Sequence, residues 1–83
     1  MNHNSYFLYS PDETTTPVRE NLKRLFAVPF DQLTHNCLLL AKDELGHVLA
    51  AAVFAPQEAS NATVYGPEAD ADALRVKMNT IFA

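Results

Sequence analysis

The apolar residues divide the chain into short segments of recognisable period, separated by proline and glycine. The first segment, Ser5–Ser10, is rich in aromatic residues. A period of two places Tyr6 and Leu8 on one face and Phe7 and Tyr9 on the other, which is typical of a β-strand with bulky side chains on both faces.

Two segments have the period of an amphipathic helix. The first begins after the threonines at 14–16, with Pro17 in its first turn, and its apolar stripe ends near Ala27 because the next residue precedes a proline. The second covers Ala69–Phe82, and the acidic residues in its first turn suit the positive end of the helix dipole. Between them, Pro29–His35 is compatible with a short additional turn of helix.

The clearest pattern is a β-hairpin in the middle of the chain. Two apolar runs, Cys37–Lys42 and His47–Ala55, flank the loop Asp43-Glu44-Leu45-Gly46, whose length and final glycine are typical of a type I turn. Ala62–Tyr65 follows as a short strand and ends at Gly66-Pro67. The order β-α-β-β-β-α predicts an α+β fold: a mainly antiparallel four-stranded sheet with two helices packed on it.

Length and composition predict a single small domain covering residues 1–83, because 48 % of the residues are hydrophobic and only 19 % are charged. No apolar run is long enough for a transmembrane helix, and no secretory signal opens the chain, so we expect no membrane association. The net charge of −4 disfavours nucleic acid as a partner. The lone Cys37 excludes an intrachain disulfide and favours a cytoplasmic location.

The two faces of the predicted sheet raise the question of what covers them. Neither hairpin strand alternates apolar with polar residues, so both faces require cover, yet two helices packed side by side cover only one. We therefore expect a second copy or another protein to bury the other face; the alternative is one helix on each face. The residues predicted to form this protein interface are Tyr6, Tyr9, Leu39, Leu49, Ala51, Val53 and Tyr65.

No residue pattern predicts catalysis, cofactor binding or metal binding. Cys37 lies within an apolar strand, and although His35 is two residues away, no third group completes a catalytic arrangement. His3, His35 and His47 lack the spacing of metal ligands. The paired carboxylates Asp12-Glu13 and Asp43-Glu44 occur at predicted turns, which offer solvent instead of the cleft that an acid–base pair requires.

The segment Lys42–Leu49 resembles the second and third strands of the GNAT acetyltransferase family, in which an acidic turn and a glycine join two apolar runs. The element order also resembles the first half of that fold. The resemblance implies an acyl-CoA site at the turn after the fourth strand, which here is Tyr65-Gly66-Pro67-Glu68-Ala69-Asp70. In the family that turn is basic and rich in glycine, whereas here Pro67 lacks an N–H group and the two acidic residues repel phosphate.

The sequence therefore favours a non-enzymatic protein–protein interaction module. We expect a small regulator or inhibitor of a larger protein, of the type that phages encode, which self-associates as a homodimer through its sheet. One alternative is a minimal or degenerate GNAT-like domain that binds acyl-CoA or a nucleotide. Another is a subunit that folds fully only within a complex.

Overall fold

The computed structural model of the chain describes residues 4–82. Within this range the chain forms a four-stranded sheet, three α-helices and one turn of 3₁₀-helix. The elements are β1 (Ser5–Tyr9), α1 (Thr16–Phe26), α2 (Phe30–His35), β2 (Cys37–Lys42), β3 (Val48–Phe54), the 3₁₀ turn (Ala59–Asn61), β4 (Thr63–Tyr65) and α3 (Glu68–Ile81). The predicted α+β fold is confirmed, and the additional helical turn is a separate helix, α2.

The sheet has the strand order β1-β2-β3-β4, and every neighbouring pair is antiparallel. The predicted hairpin joins β2 to β3. In its turn, Gly46 has a φ of 86°, and the Asp43 carboxylate accepts hydrogen bonds from the backbone N–H groups of Leu45 and His47, each at 2.9 Å. These bonds fix the turn that the loop sequence predicts.

A β-bulge beside this turn changes which side chains share a face. Ala41 pairs with Ala50, but Lys42 pairs with Val48, so Leu49 has no direct partner on β2. Leu49 therefore packs in the same core as its neighbour Ala50, and Val48 packs in the opposite core together with Ala51. Simple alternation along β3 cannot predict this arrangement, because a bulge shifts the period by one residue.

Helices cover both faces of the sheet. On one face, Leu22 of α1 and Leu33 of α2 pack against β2 and β3. On the other, Leu74 and Met78 of α3 pack against the same two strands, with small alanines beneath them. The expectation that the chain's own helices cover only one face is wrong, and the alternative of a helix on each face holds. The chain leaves the edge strand β1 toward one face, where α1 and α2 pack, and leaves the opposite edge strand β4 toward the other face, where α3 packs.

The first helix begins and ends near the predicted residues, although its cap differs in detail. Thr15 occupies the cap position without a side-chain hydrogen bond to the helix. The buried threonine is Thr14, whose hydroxyl donates to the Ser10 carbonyl at 3.0 Å. At the other end, Ala27 has a left-handed φ of 56°, and its N–H donates to the Lys23 carbonyl, which ends the helix.

Candidate functional site

Three of the predicted interface residues lie inside the molecule. Leu39, Ala51 and Val53 are all buried. Leu39 packs in the core beneath α3, while Ala51 and Val53 pack in the core beneath α1 and α2. The structure therefore places them on two different faces, each already covered by the chain's own helices, and they present no surface to a partner in this fold.

Two further predicted residues are half-buried and have structural roles. Leu49 packs against the core beneath α3. Tyr65 packs against the opposite core, and its hydroxyl donates to the Gln32 side-chain carbonyl at 2.8 Å. This bond ties β4 to α2, so both the ring and the hydroxyl of Tyr65 are used within the chain.

The remaining two predicted residues, Tyr6 and Tyr9, lie on β1, which is one of the two edge strands of the sheet. Because β1 is the first strand in the sheet order, no strand within residues 4–82 pairs with its outer edge. Phe7 is 41 % exposed and Leu8 is 54 % exposed, on opposite faces of the strand. We call this outer edge of Ser5–Tyr9, with its side chains, the β1 edge.

Charges of opposite sign flank the two ends of the β1 edge. Near its start, the Lys42 ammonium lies 4.8 Å from the centre of the Phe7 ring, and the Lys77 ammonium lies 5.0 Å from that of Tyr6. Just beyond its end come Asp12 and Glu13, both exposed. We call these the positive end and the negative end of the β1 edge. Asp43 and Glu44 follow Lys42 in the hairpin turn, where N–H groups of the turn itself bind the Asp43 carboxylate.

The carboxylate of Glu13 is held at the negative end by the backbone. It accepts a hydrogen bond from the Ser10 N–H at 2.9 Å. This bond lowers the pKa of Glu13 below its ordinary value of 4.5, because it stabilises the ionised form. The negative end of the β1 edge is therefore charged at neutral pH.

The other edge of the sheet is less available for pairing. The strand β4 has three residues, follows the 3₁₀ turn and ends at Gly66-Pro67. Short edge strands and neighbouring prolines are devices that limit pairing with other chains. The five residues of β1 include no charged residue and no proline. The two edges therefore differ in how well they are protected.

The turn that the GNAT resemblance marks as an acyl-CoA site packs against the chain itself. Gly66 has a φ of 135°, and a Cβ atom placed on it would lie 2.9 Å from the Leu49 carbonyl oxygen and 3.1 Å from Ala50 Cα. The glycine is required for this close approach to β3. The first turn of α3 that follows carries Glu68 and Asp70, whose charge opposes phosphate.

A cleft of about 400 Å³ lies near the C-terminal end of α3. Its floor includes the edge-to-face pair Phe54 and Phe82, whose ring centres are 5.4 Å apart. Among residues 4–82, no acidic or basic side chain lines the cleft, so these residues offer neither an acid–base group nor a cation for phosphate there. The lining residues are Phe54, Gln57, Ala59, Ser60, Met78, Asn79 and Phe82.

The other residues weighed for chemistry are spread through the molecule. Cys37 is half-buried against the core beneath α3, while His35 and His47 are exposed. His3 lies outside the described residues. Among residues 4–82, no group of three His, Cys, Asp or Glu side chains could hold a metal ion. No helix in that part of the chain is both long and apolar enough to cross a bilayer.

In comparisons with known proteins, the chain matches no protein-family model, no curated protein and no solved structure. The β1 edge is therefore identified from the geometry of the fold alone. It includes two of the predicted interface residues, Tyr6 and Tyr9. Sequence reasoning did not single out Phe7 and Leu8, the exposed apolar residues of the β1 edge. The available signal was the absence of charge and proline from Ser5–Tyr9, which marks an unprotected strand wherever it lies at an edge.

Proposed function

We propose that this protein is a non-enzymatic protein-interaction module that binds a strand of another polypeptide along its β1 edge. The observation that carries the proposal is the unpaired, uncharged β1 strand with Phe7 and Leu8 exposed on its two faces. Such an edge presents a row of backbone donors and acceptors, and a partner strand satisfies them by extending the sheet.

The side chains of the β1 edge supply the sequence specificity that backbone hydrogen bonds lack. Backbone hydrogen bonds alone accept many sequences, whereas aromatic and aliphatic side chains on both faces select a matching strand. Tyrosine and phenylalanine are also enriched where proteins contact one another. A specific protein partner is therefore a better match to this edge than a phosphate-bearing ligand.

This mode of binding suits a small regulator or inhibitor of a larger protein. A 9.2 kDa chain can block a site by occupying an edge or surface without chemistry of its own. We place the protein in the cytoplasm because its single Cys37 is half-buried and has no partner cysteine in the sequence. The proposed partners include neither nucleic acid nor membrane, given the net charge of −4.

Site-specific crosslinking tests this proposal. A photoreactive benzophenone amino acid replaces Leu8 in the full chain, which is produced in the cells that normally contain it. The matched control carries the same group at Val76, an exposed apolar residue of α3 (66 % exposed). We expect protein adducts through position 8 at several times the yield of position 76. Equal yields, or no adduct at position 8, would contradict a binding function for the β1 edge.

The alternative, binding of acyl-CoA or a nucleotide, has less support because Gly66 contacts β3 and the first turn of α3 is acidic. Thermal unfolding with and without acetyl-CoA or ATP separates the two functions. We expect the melting temperature to stay constant, since neither ligand binds the folded state. A rise that saturates with ligand concentration would favour the alternative.

A further inference from the structure

We infer that the strand that pairs with the β1 edge is β1 of a second copy of this chain, antiparallel, with a two-fold axis at Phe7. This inference rests on the proposed function of the β1 edge and names its occupant. The result is a continuous eight-stranded sheet, formed from two four-stranded sheets. The pairing is isologous, because each copy contributes the same residues.

The side chains of β1 are complementary to themselves in this register. With Phe7 opposite Phe7 of the second copy, the small Ser5 lies opposite the large Tyr9, and Tyr6 lies opposite Leu8. The Phe7–Phe7 and Tyr6–Leu8 pairs are favourable aromatic and aromatic–aliphatic cross-strand contacts, and the small Ser5 leaves room for the Tyr9 ring. No like charges face each other across the strands, because Ser5–Tyr9 includes no Asp, Glu, Lys, Arg or His.

The charges at the ends of β1 select the antiparallel orientation. Lys42 pairs with Ser5 at the start of β1, and Lys77 lies over Tyr6. Asp12 and Glu13 follow the other end of the strand. Antiparallel pairing brings the positive end of one copy next to the negative end of the other, twice, whereas parallel pairing would bring like charges together.

The size of this contact indicates a dimer that depends on concentration. A pair of five-residue strands adds about four to six backbone hydrogen bonds, according to which amides face outward. With its side chains it buries on the order of 1,000 Å², at the lower end of specific interfaces. We therefore expect monomer and dimer to exchange, with the dimer fraction increasing as the chain is concentrated.

Sedimentation velocity over a range of concentrations tests the inference. We expect the wild-type chain to shift from monomer to dimer, and Leu8→Lys to weaken association by about tenfold or more, because a charge at an edge opposes pairing. Val76→Lys is the matched control, with the same new charge on an exposed apolar residue of α3, and it should associate as the wild type does. Circular dichroism verifies that both variants fold.

The register is tested by disulfide formation. In a Cys37→Ala background, Phe7→Cys places two cysteines across the axis with Cα atoms about 5 Å apart, within disulfide range. Leu8→Cys places them about 8 Å apart, too far for a bond. Under mild oxidation we expect position 7 to crosslink about tenfold faster than position 8. Faster crosslinking at position 8 would overturn the register at Phe7.

The outcomes separate this inference from the proposed function. A wild-type chain that stays monomeric at every concentration overturns the inference, and so does a dimer that Leu8→Lys leaves unchanged. If the chain is monomeric but position 8 crosslinks to a different protein in cells, the second copy is excluded as occupant and the β1 edge remains a binding site. If position 8 gives no adduct at all, the proposed function fails as well.

Discussion

At the scale of single residues, this fold depends on a few positions whose backbone conformation favours glycine. Gly66 combines a positive φ with a close approach to β3, whereas Gly46 has a positive φ but open space around it. The two glycines look alike in the sequence, each at the end of a strand or turn. Their surroundings predict different tolerance to the same substitution.

Gly66→Ala should destabilise the protein more than Gly46→Ala. At Gly46 the cost is that of a positive φ alone, about 1 kcal/mol. At Gly66 the new methyl group also meets the Leu49 carbonyl at 2.9 Å, so we expect roughly 2–3 kcal/mol or more. Urea unfolding measures both variants. Equal losses would show that the contact with β3 adjusts without cost.

Asp43 makes the hairpin turn sensitive to acid. The backbone N–H of His47 is the main cause that lowers the pKa of Asp43 below its ordinary 3.8, with a second N–H from Leu45 adding to it. A lowered pKa in the folded state means that the stabilisation is complete above the unfolded pKa and is lost as the pH falls through the folded value.

Asp43→Asn tests this dependence, because asparagine keeps one acceptor oxygen and removes the charge. We expect the wild type to exceed the variant in free energy of unfolding at pH 7. The difference should shrink as the pH drops below about 4, where the carboxylate takes up a proton. Denaturant unfolding at several pH values measures it, and a difference that is constant down to pH 2 would contradict this role.

At the scale of elements, each helix is held by a small number of buried side chains rather than by its caps. Leu22 is the fully buried residue of α1, and it packs with Leu33 of α2 against the sheet. The cap residue Thr15 makes no side-chain hydrogen bond to α1. Burial of the apolar face therefore stabilises α1 more than local interactions do.

Leu22→Ala should lower the free energy of unfolding by roughly 2–5 kcal/mol, because it leaves a cavity between α1 and the sheet. Leu25→Ala, on the same helix but 47 % exposed, is the matched control and should change it by less than about 0.5 kcal/mol. Thermal or urea unfolding compares the two. A Leu22→Ala variant with the same free energy of unfolding as the wild type would show that α1 does not belong to the core.

At the scale of the whole molecule, helices cover both faces of the sheet, whereas the outer edge of β1 has no neighbouring strand in residues 4–82. The core beneath α1 and α2 and the core beneath α3 are separate clusters that share β2 and β3. In residues 4–82, each face of the sheet is therefore covered by helices of the chain itself. The β1 edge is the longer of the two unpaired sheet edges in residues 4–82, and this is why the proposed function concerns strand addition rather than packing on a face of the sheet.

A charged side chain introduced on either face of the sheet should prevent folding. Ala50 and Ala51 are both fully buried, Ala50 beneath α3 and Ala51 beneath α1 and α2. We expect Ala50→Glu and Ala51→Glu each to prevent folding, because neither site can hydrate or pair a carboxylate. Circular dichroism and melting measure this. A folded, monomeric Ala51→Glu variant would mean that this face is open to a partner after all.

Much of the fold was predictable from local patterns. The aromatic alternation of Ser5–Ser10, the hairpin turn at Asp43–Gly46 and the helix covering Ala69–Phe82 all appear near the predicted residues. The candidate site was less predictable: of the seven residues predicted for the interface, Leu39, Ala51 and Val53 are buried. Alternation within each strand assigned their faces, whereas the register between the strands places Leu39 on the opposite face from Ala51 and Val53, and helices cover both faces.

By itself, the sequence determined the elements, because turn residues and apolar periods act over a few neighbouring positions. Only the tertiary structure decided which face each helix covers. The connection from β1 to β2 passes through both α1 and α2, and no local pattern states on which side of the sheet it lies. Because α3 packs on the opposite face from α1 and α2, it covers the apolar surface that the sequence predicts to be left for a partner, and the proposed binding surface is the β1 edge instead.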